Sequence, residues 1–343
     1  MHISELDAAD DTEFDEFYEV YDTANRHGRC HSTSWAKPEL RAAYRTPSTA
    51  HTRRAWLGRI DGAVVAAGVL ETPLRDNTEL AELDCLVAPE HRRRGYGRLM
   101  AGHLRDQAQR VGRTLAISWV FGGELDVAGQ LVETSPGARF CAAIGLQERN
   151  TDVHRMLDLP VHPELLDSLA AEAAPHHAQY WLISWTDPCP DQHRAAYCAL
   201  KEAMIAEVPL GDLQFEPERW DEQRMREAEA ELIAMGRTRH VVAAATGDGS
   251  IVAHNEVLHA AHDPGRLYNW DTLVLPGHRG HRLGLAMKVA NLRRVQRLHP
   301  HGRELHTHNA AQNAPMVAVN DRLGFRPVER VGEWQVELTM LVA

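Results

Sequence analysis

Apolar and polar positions along the chain predict strands and helices, and the same series occurs twice. Each half has two strands joined by an Asp-Gly turn, a third strand, a helix with apolar residues at helical spacing, a fourth strand, and a short helix ending at a glycine. In the first half these elements are Arg54–Ile60, Asp61-Gly62, Ala63–Leu70, the strand ending at Leu86-Val87, Gly97–Val111, Thr114–Val120 and Gly145. In the second half they are Arg239–Ala245, Asp248-Gly249, Ser250–His259, the strand ending at Leu273-Val274, Gly284–Leu298, Glu304–His308 and Gly324.

The two halves are also related residue by residue. Residues 61–100 and 248–287 align without a gap at a constant shift of 187, and fourteen of these forty positions are identical. Two copies of one domain fit a chain of 343 residues. We expect an α+β fold of two tandem domains, 1–158 and 179–343, each a mixed, mostly antiparallel sheet flanked by helices. Residues 159–178, rich in proline, are expected to form the linker.

Composition narrows the class of protein. The chain has 37 Lys and Arg against 48 Asp and Glu, a net charge of −11, which argues against nucleic-acid binding. It has no apolar run of membrane-spanning length, and its acidic N-terminus is unlike a secretory signal. Its five cysteines include no C-x-x-C pair, so neither a disulfide framework nor a thiolate zinc site is expected. We expect a cytoplasmic protein, a monomer or homodimer, that binds neither nucleic acid nor membrane.

The loop from Val87 to Gly97 has the residue types of an anion site. It reads Val-Ala-Pro-Glu-His-Arg-Arg-Arg-Gly-Tyr-Gly and opens a helix. Unpaired N–H groups and partial positive charge at a helix N-terminus favour anions, and arginines add charge-assisted hydrogen bonds. Glycines allow the backbone to approach the anion closely. The spacing differs from that of a nucleotide-hydrolase loop.

This loop, V-x-P-x-x-R-x-x-G-x-G, resembles the acetyl-coenzyme A motif of the GCN5-related N-acetyltransferase (GNAT) family. The later Asn313-x-x-Met316 and Asn320-x-x-Leu-Gly-Phe325 resemble the closing helix of that family. The resemblance covers both copies, in the tandem arrangement of bacterial two-domain acetyltransferases. It implies that the loop binds the coenzyme A pyrophosphate, that the preceding strand donates an N–H to the thioester carbonyl, and that an amine attacks the acetyl group.

The resemblance assigns cofactor-binding positions in both copies. In the first copy, Leu86 and Val87 line the thioester, and the pyrophosphate lies against Arg92, Arg93, Arg94, Gly95, Tyr96, Gly97 and Arg98. In the second, the matching residues are Leu273, Val274, Arg279, Gly280, His281, Arg282, Leu283, Gly284 and Leu285, with Asn313 and Asn320 on the closing helix. Asn313 is equally well explained as a helix N-cap.

The second copy departs from the family pattern at Arg282, which stands where the first glycine belongs. That side chain either blocks the pyrophosphate or contacts it, and Gly280 is positioned to shift the turn in compensation. The tyrosine that serves the family as an acid for the leaving thiolate is absent from both copies. Cys141 and Asn320 hold its place.

Carboxylates ahead of the loop are candidates for the base that takes the amine proton. Glu82 and Asp84 precede the first loop, and strand alternation places both on one face. Asp271 matches Asp84 in the second copy. The alternative is a structural carboxylate that caps a turn or pairs with an arginine.

Histidines suggest a metal only weakly. His306 and His308 alternate along a strand, and His299 and His301 lie just before it. No further ligand has a telling spacing, so no metal is expected.

The sequence therefore predicts an acetyl-CoA-dependent N-acetyltransferase that acts on a small-molecule amine, with a carboxylate as general base. The acidic first helix, around Asp11–Ala24, favours a cationic acceptor, although a merely solvated acidic face is nearly as good an explanation. Two rivals stay open. One is another acyl- or aminoacyltransferase on the same duplicated fold, and the other is a non-catalytic coenzyme A-binding regulator.

Overall fold

A computed structural model describes residues 1–125 and 131–342, and the chain divides into two compact units. Unit 1 contains Met1–Asp152, the short segment Leu210–Phe215 and the C-terminal segment from Glu329. Unit 2 contains Val153–Pro209 and Glu216–Val328.

The helices and strands follow the order that the sequence predicts. The helices are α1 (Asp11–Arg26), α2 (Lys37–Arg45), α3 (Tyr96–Arg110), α4 (Pro136–Ala143), α5 (Pro163–Ala173), α6 (Asp191–Glu202), α7 (Met204–Glu207), α8 (Glu222–Ala234), α9 (Leu283–Leu298) and α10 (Ala314–Leu323). The strands are β1 (His2–Glu5), β2 (His51–Ile60), β3 (Ala63–Pro73), β4 (Leu80–Val87), β5 (Leu115–Phe121), β6 (Glu124–Leu125), β7 (Leu131–Glu133), β8 (Gln147–Asp158), β9 (Trp181–Thr186), β10 (Arg237–Ala245), β11 (Ile251–Ala260), β12 (Arg266–Val274), β13 (Glu304–Ala310) and β14 (Arg326–Glu337).

Unit 1 has a mostly antiparallel sheet in the order β1-β2-β3-β4-β5-β14, with β4 and β5 as the parallel pair. The Asp61-Gly62 turn joins β2 and β3 with positive φ at both residues, as a two-residue hairpin requires. One face of the sheet packs against α3 and α4, and the core between them contains Met100 and Leu104 of α3. The other face packs against α1 and α2.

Unit 2 repeats this plan in the order β8-β13-β12-β11-β10-β9, with the second part of β8 at one edge. Its parallel pair is β12 and β13. Helix α9 takes the place of α3, and α6 takes the place of α1. The predicted α+β class with mixed, mostly antiparallel sheets is confirmed.

The predicted domain boundaries, 1–158 and 179–343 with a linker at 159–178, differ from the observed units in two respects. The stretch 159–178 is not a linker, because α5 buries Leu166 and Leu169 in the core of unit 2 against α9. The end of the second half belongs to unit 1, where β14 pairs with β5 from Val331 opposite Phe121 to Glu337 opposite Leu115.

Apolar packing explains why these segments join unit 1. From β14, Trp334 and Val336 enter the core that contains Met100 and Leu104. From the segment 210–215, Leu213 packs against Leu80 and Ile117. The Gln335 side chain accepts a hydrogen bond from the Gln214 backbone N–H at 3.0 Å and donates one to its carbonyl at 3.1 Å. The sequence repeat alone does not predict that β14 or the segment 210–215 belongs to unit 1. We call β14 the exchanged strand.

None of the helices in the described ranges is long and apolar enough to cross a membrane.

We expect Trp334→Ala to destabilise unit 1, although residue 334 follows unit 2 in the sequence. Trp334 is 8% exposed, and truncating a buried Trp costs about 3–5 kcal/mol. Hydrogen exchange should therefore accelerate in β4 and β5. Trp181→Ala, which removes a tryptophan that is 59% exposed, is the control and should leave unit 1 unchanged. Faster exchange confined to β10–β12 in Trp334→Ala would contradict this assignment of β14.

Candidate active site

The parallel strands of each unit pair over only three residues and then part. In unit 1 the pairing joins Leu80–Glu82 to Leu115–Ile117. In unit 2 it joins Arg266–Tyr268 to Glu304–His306. Past these residues, β4 continues to Val87 with no ladder to β5 in the described chain. This opening leaves backbone N–H and C=O groups available to an extended ligand.

The loop after the opening has the same backbone in both units. Two of its residues adopt the left-handed conformation, Arg93 and Gly95 in unit 1 and Gly280 and Arg282 in unit 2. The φ values are 64° and 86° in the first pair and 81° and 53° in the second. Glycine has thus moved from one left-handed position to the other. Arg282 preserves the turn at the cost, about 1–2 kcal/mol, of a side chain in this conformation.

The loop of unit 1 presents a row of unpaired donors. Within the described chain, the backbone N–H groups of residues 93–98 have no hydrogen-bond partner, and the first helical bond of the loop runs from the Leu99 N–H to the Gly95 carbonyl. A Cβ added at Gly95 would meet nothing within 4 Å, whereas one at Gly97 would meet the Phe140 ring at 3.2 Å. A helix N-terminus with free donors and open space fits a phosphate group.

The arginines of this loop have different roles. The Arg92 guanidinium holds the loop itself, donating to the carbonyl oxygens of Val87 at 3.1 Å and Ala24 at 3.2 Å. Arg279 makes the same bond to Val274 at 3.1 Å in unit 2.

The remaining arginines of the unit 1 loop face outward. Arg98 donates to the Ala143 carbonyl at 3.0 Å. Arg93 and Arg94 are exposed, so they are the side chains available to an anion.

The other predicted cofactor residues divide between the surface of each cleft and the core. Leu86, Val87 and Tyr96 are partly exposed in unit 1, as Val274 is in unit 2. Leu273, Leu283 and Leu285 are buried in unit 2, so only their backbone groups can face a ligand. Gly284 has open space around it, His281 bonds to the His176 carbonyl at 3.2 Å, and Arg282 pairs with Glu172.

Asp84 is the perturbed carboxyl beside this cleft. It lies on the α1 face of β4 together with Leu86, which packs near Phe14 and Phe17. More than a third of the Asp84 surface is exposed to solvent, but many protein atoms lie near its carboxyl group and reduce its hydration. This partial loss of hydration, with a smaller contribution from the Glu71 carboxylate, raises the pKa of Asp84 to about 6. No hydrogen bond or ion pair to Asp84 occurs among the described residues.

Glu71 was not predicted as a site residue. It lies on β3 directly opposite Glu82, and Asp84 lies opposite Val69. Arg53 of β2 donates to Glu71 at 2.7 Å and also contacts the Ala43 carbonyl at 3.1 Å. The hairpin register, counted outward from the Asp61-Gly62 turn, is the signal that places Arg53 and Glu71 on this face.

Asp271 occupies the matching position in unit 2, but its surroundings differ. Its Oδ2 accepts a hydrogen bond from Lys201 Nζ at 2.5 Å. Lys201 also contacts Glu256 Oε1 at 3.1 Å. Asp271 is therefore engaged in an ion pair, whereas Asp84 has none within the residues that the structure describes.

The two residues at the place of the missing tyrosine are both buried. Burial, with the nearby Asp84 carboxylate, raises the pKa of the Cys141 thiol to about 12. Asn320 donates to Asn309 at 2.5 Å and accepts from Lys288 at 2.8 Å. Burial lowers the pKa of Lys288 to about 7. Asn313 caps α10 by accepting from the Met316 N–H at 3.3 Å.

A second perturbed carboxyl in unit 1 was also missed. Burial and the neighbouring Glu333 carboxylate raise the pKa of Asp152 to about 7. Glu333 accepts hydrogen bonds from Trp119 at 3.1 Å and Asn150 at 2.8 Å. The sequence offered no signal for this pair, because Glu333 belongs to the exchanged strand.

The acidic residues of α1 are not on the Asp84 side of the helix. Phe14 and Phe17 form its buried face. Asp11 and Asp15 lie on the outer face, where both form ion pairs with Arg41, and Asp15 also pairs with Lys37.

Two of the histidines considered as ligands, His306 and His299, form hydrogen bonds with other side chains. His306 bonds to His154 at 2.9 Å and to Glu304 at 3.1 Å, and His299 bonds to His240 at 2.7 Å. No group of three His, Cys, Asp or Glu residues suited to a metal occurs in the described ranges.

Comparison with known proteins agrees with this geometry. The sequence profile of the acetyltransferase (GNAT) family matches residues 14–122. A tandem GNAT protein from the clavulanic acid biosynthesis pathway superposes with a TM-score of 0.81 and 27% identity over 98% of this chain and 99% of that one. A GCN5-related N-acetyltransferase from Sphaerobacter thermophilus superposes with a TM-score of 0.65 and 14% identity, over 98% of this chain and 96% of that one. No curated protein sequence matches the chain significantly.

Splayed strands, a phosphate-type loop and a duplicated sheet define an N-acetyltransferase fold in tandem form. The first part of the chain matches the GNAT family profile, and the whole chain has the fold of a tandem GNAT protein.

We expect Asp84→Asn to raise the melting temperature at pH 7.5. An aspartate titrates near 3.9 when unfolded and Asp84 near 6 when folded, so its ionisation costs stability at pH values above 6. The amide removes this cost. The gain should shrink as pH falls through 6 and vanish only well below 3.9, where both states bind the proton. Calorimetric scans across this range measure it, with exposed Glu79→Gln as control. A gain that is constant with pH would contradict the assigned pKa.

Proposed function

We propose that unit 1 transfers an acetyl group from acetyl-CoA to the amine of a small molecule by direct attack. The observation that carries the proposal is Asp84, a carboxyl with a raised pKa that lies three residues before the loop. Over the described ranges it has no ion pair, and the loop's N–H donors at residues 93–98 have no partner. A carboxylate suited to proton transfer and an anion site are the two parts that this reaction needs.

The loop residues fit coenzyme A. The N–H groups of residues 93–98 and the exposed Arg93 and Arg94 would hold the pyrophosphate, and Leu86 and Val87 would line the thioester where β4 parts from β5. Acetyl-CoA supplies an activated acetyl group and a thiolate leaving group.

Asp84 is ionised above pH 6 and would accept the proton of the incoming ammonium group, directly or through water. The amine nitrogen would then bond to the acetyl carbon as the C–S bond breaks, and its second proton would pass to the leaving thiolate. The products would be an acetamide and coenzyme A. Asp84 would release its proton to solvent.

The acceptor is proposed to be a small cationic amine. Asp84 and Glu82 share one face of β4, and Glu71 lies opposite on β3. Tyr44 interacts electrostatically with Asp84, and its ring lies 5.9 Å from the Arg53 guanidinium. Carboxylates beside an aromatic ring suit an alkylammonium group. The acidic face of α1 lies elsewhere and would act only at long range.

The setting is proposed to be cytoplasmic, and the protein a monomer or homodimer that acts without nucleic acid or membrane. All five cysteines are free thiols, which suits a reducing compartment.

Thiol release from acetyl-CoA with a panel of amines tests the activity. Release with longer acyl-CoA donors but not with acetyl-CoA would favour the other-acyltransferase alternative. Binding of coenzyme A without release for any amine would favour a regulatory protein.

We expect kcat/KM to rise with pH and level off with an apparent pKa near 6, because Asp84 must be ionised to accept a proton. The acceptor should be one that titrates well away from pH 6. Asp84→Asn should lower kcat by about 10²–10⁴-fold and abolish this limb. Glu79→Gln should change neither quantity. An unchanged profile in Asp84→Asn would exclude Asp84 as the base.

We expect Arg93→Gln and Arg94→Gln each to raise the KM for acetyl-CoA by about tenfold or more, as loss of a charge-assisted hydrogen bond predicts. Values of kcat should change less. Arg110→Gln is the matched control. It removes an exposed arginine from the C-terminal end of α3, the helix that follows the loop. Equal effects from all three variants would show a nonspecific charge effect.

A further inference from the structure

Unit 2 places an amine of its own against the carboxylate that matches Asp84. Lys201 of α6 brings its Nζ to 2.5 Å from Asp271 Oδ2 and 3.1 Å from Glu256 Oε1. The Lys201 side chain is 7% exposed and Asp271 is 21% exposed. Nζ therefore lies at the inner end of the Asp271 carboxylate, away from solvent.

The two carboxylates occupy equivalent places by sequence and by fold. Asp84 and Asp271 are related by the constant shift of 187 and both lie three residues before the valine that starts the loop. The residue two positions on in each strand packs on the side of α1 in unit 1 (Leu86) and of α6 in unit 2 (Leu273). Both carboxylates thus face the same side of the sheet.

Unit 1 has only one of the two carboxylates that hold Lys201 in unit 2. Glu256 matches Val69, so the second carboxylate of unit 2 is an apolar residue in unit 1. Asp84 has no ion pair among the described residues. In unit 2, β12 also has a bulge, at which Trp270 and Asp271 both lie opposite Glu256 of β11. This brings the Asp271 and Glu256 carboxylates to the Lys201 ammonium group.

Charge balance explains why an ammonium group is required there. Glu256 is fully buried and contacts Arg239 at 3.7 Å and His254 at 3.4 Å in addition to Lys201. Arg239 is itself engaged by Asp187 at 2.8 Å. Lys201 is the cation that Asp271 and Glu256 share. Without it, two carboxylates would lie close together in the interior with less positive charge to balance them, which would cost folding free energy.

We propose that the Lys201 ammonium group occupies in unit 2 the place that the acceptor amine takes in unit 1, and that it excludes free amines from that place. The inference rests on the proposed role of Asp84. Unit 2 is then able to hold coenzyme A through its loop while transferring nothing to solution. Truncation to Lys201→Ala would open a site for a small primary ammonium ion.

n-Propylammonium is the probe, because it replaces the three methylenes and the amine that Lys201→Ala removes. The variant should melt below the parent, and n-propylammonium in the tens of millimolar should restore half or more of the loss by binding the folded state. n-Propanol, which has the same chain without charge, and tetramethylammonium, which has no N–H donor, should not. Lys201→Met fills the volume and should show no response to any of the three.

Equal restoration by n-propanol would show that Lys201 serves packing only, and no restoration would show that no amine site exists. Either result would overturn the proposal. If Lys201→Ala does not fold, refolding with n-propylammonium against sodium chloride of equal ionic strength gives the same readout by near-ultraviolet circular dichroism.

A second measurement ties the site to acceptor chemistry. In an Asp84→Asn background, adding Lys201→Ala should increase thiol release from acetyl-CoA with n-propylamine, and Lys201→Met should not. No increase would overturn the claim that Lys201 keeps unit 2 from transfer. Failure of the proposed function is distinguishable, because it would appear as full activity in Asp84→Asn alone, whereas the melting experiment requires no catalysis.

Discussion

The early end of parallel pairing between β4 and β5 is the constraint on which the rest of unit 1 depends. Backbone polar groups that lose a strand partner must find another. The opening supplies them to a ligand, the loop after Val87 supplies further donors, and Asp84 stands at the edge with its hydration reduced. Arg92 connects these parts, because its guanidinium bonds the loop back to the last residue of β4.

The two units share one backbone plan but differ in the polarity of their buried side chains. Positions that are apolar or small in unit 1 are polar in unit 2: Gly68, Ala101 and Leu104 correspond to Asn255, Lys288 and Asn291. Two of these side chains bond to each other, since Asn291 donates to Asn255 at 2.9 Å, and Asn255 donates in turn to Asn269 at 2.8 Å. A buried polar side chain that loses its partner is costly, so changes at these positions depend on one another. The interior of unit 2 is consequently specialised rather than merely relaxed.

Much of the fold follows from the sequence because the relevant signals are local. The Asp61-Gly62 turn, the helical spacing after Gly97 and the shift of 187 locate the elements and the loop correctly. Long-range packing is different. Nothing near Trp334 indicates that it packs in unit 1, and nothing near Lys201 indicates that it meets Asp271, because both contacts join residues at least 70 positions apart. Candidate residues were therefore found by motif, and their environments only by structure.

The exchanged strand β14 has a consequence for the order in which the protein acquires structure during synthesis. The ribosome makes the first strands of unit 1 long before β14, and all of unit 2 is made in between. The edge of β5 that β14 covers stays open throughout that interval, and an open edge invites pairing with other chains. A chaperone or a crowded polysome would therefore affect the yield of native protein most while β5 is exposed and β14 is not yet made.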